Sequence, residues 1–99
     1  MEKSALFYMA NAYPEIGRML RYSEEKNDTA AESAKMRAVS IVDNILNCSD
    51  VPRAGREEWY AVKNLILGYK NLDSKAREVL RSFAEPFSLK FIYEYTHGN

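Results

Sequence analysis

A single cysteine, Cys48, stands among 99 residues, so an intrachain disulfide is excluded and nothing indicates an oxidising compartment. One histidine, His97, accompanies it, which leaves too few soft ligands for a zinc site within one chain. A di-iron bundle needs a Glu-x-x-His from each of two helices, and only Glu94–His97 has that spacing. Net charge is absent too: 14 Lys and Arg balance 14 Asp and Glu, which removes the strong field of a dedicated nucleic-acid binder. The longest apolar run near the start, residues 5–10, is far too short for a membrane span and follows Glu2 and Lys3, an unsuitable signal peptide. A soluble cytoplasmic protein is expected. Glycine and proline number only four and three, no Asn-Gly or Asp-Gly hairpin signal occurs, and no glycine-rich loop leads into a lysine.

What is present is apolar residues at helical spacing. The hydrophobic fraction is 46% with twelve aromatics, ample for one core in one domain spanning residues 1–99. Leu6, Met9, Tyr13, Ile16 and Leu20 recur at steps of three and four, predicting a first helix over about 4–25. Pro14 is expected to kink or divide it. Thr29 and Glu32 have the capping-box spacing and predict the start of a second helix, with Ala34, Ala38, Ile41 and Ile45 inward. Its alanines would let a neighbouring helix come close. Trp59, Val62, Ile66 and Tyr69 define a third helix, and Asp73 or Ser74 is expected to cap a fourth carrying Val79, Leu80 and Phe83. Pro86 is expected to break or kink that helix after Ala84, with Phe87, Phe91 and Tyr95 continuing beyond. The fold class is therefore all-α, a small antiparallel up-down four-helix bundle.

Two short stretches resemble known families. Leu72, Arg77, Glu78, Val79, Leu80 and Arg81, with Ser88, Lys90 and Ile92, resemble the opening of the LuxR-type helix-turn-helix domain. That resemblance implies two helices meeting at a turn. Pro86 replaces the glycine usual in that turn, and Asn99 falls where the recognition helix would begin, so base readout is not expected. Residues 37–45, "RAVSIVDNI", are similar to a segment of the four-helix-bundle proteins encoded in bacterial ribosomal RNA intervening sequences. That similarity implies a bundle and, through relatives that serve retroelements, an accessory role on a mobile element.

No residue pattern supports catalysis, and no cofactor is expected. Cys48 sits at the end of the second helix, where the negative end of the dipole opposes a thiolate. Glu24-Glu25 and Glu57-Glu58 are adjacent pairs whose side chains diverge on a helix. The informative surplus is aromatic. Phe87, Phe91, Tyr93 and Tyr95, with Trp59 and Tyr60, exceed what one stripe buries, and Leu89 and Tyr93 fall off the main line. These six aromatics are the expected protein-interface residues, and the chain is expected to be a non-enzymatic interaction module, paired as a homodimer. The alternative is a nucleic-acid accessory protein using Arg56, Lys63, Lys70, Arg77 and Arg81; residues 51–99 carry 8 basic and 6 acidic groups. A small-molecule bundle would require a cavity among the aromatics.

Overall fold

Four helices make up most of residues 3–97, the part of the chain that this computed structural model describes; side-chain surroundings are described through residue 94. They are α1 (Ala5–Glu24), α2 (Asp28–Asn47), α3 (Arg53–Leu67) and α4 (Ser74–His97), with a 3-10 turn at Tyr69–Asn71. Every connection is short, so neighbours run antiparallel and the bundle is up-down, as the periodicity predicts.

The α1–α2 turn corrects one expectation. The cap of α2 is Asn27, whose side-chain oxygen accepts from the Ala30 N–H, and not Thr29. Asn27 also closes α1: its N–H donates to Tyr22 O at 2.8 Å while Lys26 N–H donates to Ser23 O at 3.1 Å. These two bonds form a Schellman ending with Lys26 in the left-handed region, φ 61°. Glu32, freed from the capping box, instead pairs with Lys35 and accepts from Tyr69. Asp73 caps α4 through Ala76 N–H, as expected. At the start of α1, Ser4 Oγ accepts from Phe7 N–H, and Asp50 of the α2–α3 loop accepts from Ala5 N–H.

Neither proline divides its helix. Pro14 lies inside α1 and Pro86 inside α4, and the break expected after Ala84 is absent. Both prolines are exposed, as is Ser82, and Ala10 is half-exposed. Each proline deprives a carbonyl, that of Ala10 or Ser82, of its helical donor, and both sit on the outer side of their helices, where the loss of that bond is least costly. The turn that a helix-turn-helix requires is accordingly missing, because residues 84–86 are helical.

Packing follows side-chain size. Ala31, Ala34 and Ala38 on α2 are fully buried, as is Ala12 on α1, and these small residues let the two helices lie close. Val42 and Ile45 extend the seam, while Ile41 is only half-buried. Helix α1 also packs along α4, and α2 along α3. The α3 and α4 backbones stand further apart, and rings fill the space between them. Trp59 lies 5.1 Å from Phe83 and 5.5 Å from Phe87, which are themselves 5.5 Å apart.

Ala34→Leu is expected to cost about 1–3 kcal/mol by overpacking the alanine seam, measured by chemical denaturation. Lys26→Gly is expected to gain about 1 kcal/mol, because glycine takes the left-handed conformation without the side-chain penalty; an unchanged midpoint would refute this account of the turn.

Candidate interaction surface

The aromatics singled out from the sequence divide between interior and surface. Trp59 is 1% exposed and belongs to the core, because the wide α3–α4 seam needs its bulk. Phe87 is half-buried against Trp59, and Phe91 is half-buried with its ring 5.9 Å from Phe7. Tyr60 on α3 and Tyr93 on α4 are exposed, on different helices. The Tyr95 side chain lies outside the described residues.

A compact apolar patch forms on α4 instead. Leu89, Ile92 and Tyr93 are 61%, 55% and 63% exposed, and their spacing of three and four places them on one face. Val79 and Pro86, fourteen and seven residues before Tyr93, continue the apolar row along the helix, and both are exposed. Leu89 and Ile92 were absent from the residues expected at an interface. Their signal was a second helical period, offset from the Phe87–Phe91 line. Beside this row, a groove of about 210 Å³ opens between α3 and α4, lined by Val62, Leu65, Val79 and Phe83.

The basic row is largely occupied within the chain. The Arg56 guanidinium donates to Leu46 O, to Cys48 O at 3.3 Å and to Val51 O at 3.1 Å, satisfying carbonyls at the end of α2. Arg77 does the same for Tyr69 O (3.2 Å) and Leu72 O (3.0 Å) and reaches Ser23 Oγ. Arg81 grips both carboxylate oxygens of Glu24, at 2.8 and 2.9 Å. Lys63 pairs with Asp43 at 2.7 Å. Lys70 lies over the Tyr69 ring at 6.0 Å and is exposed.

A second, polar cleft of about 550 Å³ runs between α1 and α4. Gly17 and Ser82 lie along it, Arg18 and Arg21 come from α1, and Glu78 and Glu85 come from α4. Tyr13 donates to Glu85 at 3.2 Å across its lower end, a bond that raises the Tyr13 pKa. The buried Tyr69 hydroxyl donates to Glu32 at 2.8 Å. Burial, then the Glu32 hydrogen bond, push the Tyr69 pKa up to about 12, while Lys35 and next Tyr69 hold Glu32 below the usual carboxylate range. Among the described residues, no three His, Cys, Asp or Glu side chains gather as a metal-binding group, and no helix is long and apolar enough to cross a membrane.

No protein-family model, curated protein or solved structure matches the chain.

Because the folded state holds the Tyr69 proton more tightly than the unfolded chain, its contribution is complete below about pH 10 and is lost as pH rises toward 12. Denaturation melts across that window should show wild-type stability falling more steeply than that of Tyr69→Phe. The difference is expected to be on the order of 2 kcal/mol. Parallel pH dependences would refute the assignment.

Proposed function

We propose that this chain is a non-enzymatic helical interaction module that pairs with a second copy of itself through the outer side of α4. One observation carries the reading: Leu89, Ile92 and Tyr93 expose more than half their surface on adjoining turns of a single face. Large side chains grouped this way leave apolar area in water that an interface would remove, and burying each fully is worth about 1.5–3 kcal/mol relative to full exposure. Tyrosine in such a patch serves both a dry centre and a wet rim.

The nucleic-acid reading has less support. Arg56, Lys63, Arg77 and Arg81 serve internal carbonyls and carboxylates, and Lys70 lies over the Tyr69 ring. A cytoplasmic setting, where the buried Cys48 thiol stays reduced, fits the module. So does an accessory role on a bacterial mobile element, a part that small single-domain helical proteins suit.

Leu89→Lys combined with Tyr93→Lys tests the reading. Both side chains are exposed, so circular dichroism should show unchanged helix content. Sedimentation or light scattering should find the wild type as a dimer and the variant as a monomer. A wild type that stays monomeric at high concentration, or a variant that dimerises equally well, would overturn the proposal.

A further inference from the structure

On the reading that the chain self-associates, we infer that α1 of one copy lies against α4 of the other, about a two-fold axis parallel to the helices, registered by Arg21 on one copy and Glu78 on its mate.

The argument starts from the charges along the α1–α4 cleft. Arg18 and Arg21 stand on α1; Glu78 and Glu85 stand on α4. The two helices are antiparallel, and their heights are tied by the Glu24–Arg81 and Tyr13–Glu85 hydrogen bonds. Those ties put Arg21 within about one turn, ~5 Å, of the height of Glu78, and Arg18 equally near that of Glu85. Glu24 of α1 and Arg81 of α4 also line the cleft but neutralise each other across it, so the remaining charges leave one edge of the face basic and the other acidic at matching levels.

A two-fold axis along the helices exchanges the edges and keeps the heights. Each basic edge then meets an acidic edge, and every contact occurs twice, as an isologous interface requires. An axis across the helices would instead set acidic residues against acidic residues. Two residues have vacancies suited to this. Among the described residues, Arg21 reaches no carboxylate and rests on the Tyr22 ring at 4.9 Å, and Glu85 is met by the Tyr13 hydroxyl but by no cation.

Shape and polarity agree with the charges. A side chain placed at Gly17 would meet nothing within 4 Å, so the middle of the face has room for a mate. Glu78, Ser82, Glu85, Leu89 and Ile92 fall at steps of four, three, four and three, the seam spacing of one helix packed along another. The charged half of that seam therefore continues into the apolar patch. At the level of the patch, α1 offers Leu6, Phe7 and Ala10, all partly exposed, so apolar surface meets apolar surface there. The Phe7–Phe91 contact fixes this height.

The experiment measures dimer dissociation for wild type, Arg21→Glu, Glu78→Lys and an equimolar mixture of the two variants. Both substituted residues are exposed, and the one ion pair lost is that of Glu78 with Arg81 a turn along the same helix, at 3.7 Å and largely in solvent, so folding should persist. Each single variant should dissociate about tenfold more readily, since like charges then face each other. The mixture should regain wild-type affinity, because the mixed dimer restores opposite charges at both symmetric positions. Singles as tight as wild type, or a mixture no tighter than the singles, would overturn the register. If that happened while Leu89→Lys with Tyr93→Lys still abolished pairing, self-association would stand and only this geometry would fall. A monomeric wild type would end both.

Discussion

The close contact between α1 and α2 governs where everything else can go. Ala12 on one helix and Ala31, Ala34 and Ala38 on the other are wholly buried, so two 20-residue helices meet with little side-chain volume between them. A bundle core must still be filled to crystal-like density. The bulk that this seam omits is supplied elsewhere: Ile16, Met19, Leu20 and Ile45 fill the middle, and Trp59, Phe83 and Phe87 span the wider gap between α3 and α4. Small residues on one side thus dictate rings on the other.

Polar contacts fix the register of the close seams. Glu15 reaches Arg37 across α1 and α2, Glu24 holds Arg77 and Arg81 across α1 and α4, and Asp43 meets Lys63 across α2 and α3. Individually such partly exposed pairs contribute little, but they select one antiparallel alignment from several that apolar stripes alone would tolerate. Arg56 and Arg77 add a further role, since each gathers the carbonyls that a helix or turn leaves unsatisfied at its end. A chain of zero net charge thus holds some of its cations internally, as Arg56, Lys63, Arg77 and Arg81 are held, while others such as Lys26, Arg53, Lys75 and Lys90 stay exposed.

The helices and most of their inner stripes were legible because apolar spacing reports directly on burial: Ile16, Leu20, Ala34, Ala38, Val62, Ile66 and Leu80 are all buried as the pattern implies, whereas Val79, expected inward beside Leu80, is exposed because it lies at the edge of the α4 stripe. The prolines were harder to read. A proline's effect depends on whether the carbonyl it orphans faces water, and that is a property of the assembled bundle. The Thr29 capping box failed for a related reason. Asn27 was already positioned by its bond to Tyr22 at the end of α1, and the local competition between two adequate caps was decided by the preceding helix. For the surface, the aromatic surplus was visible, but its division was not. Trp59 and Tyr60 are neighbours in sequence and opposite in exposure: Trp59 shares the buried Val62–Ile66 face and fills the α3–α4 gap, so its place on the inner stripe outweighs its place in the aromatic surplus.

Trp59 is the chain's sole tryptophan, and it sits in that gap, enclosed by two phenylalanines. Its fluorescence emission should consequently be blue-shifted and collisional quenchers should reach it poorly. The signal would register loss of the interior and stay nearly silent to events on the far side of α4. Nature has thus provided one optical channel for folding that leaves assembly to be followed by another.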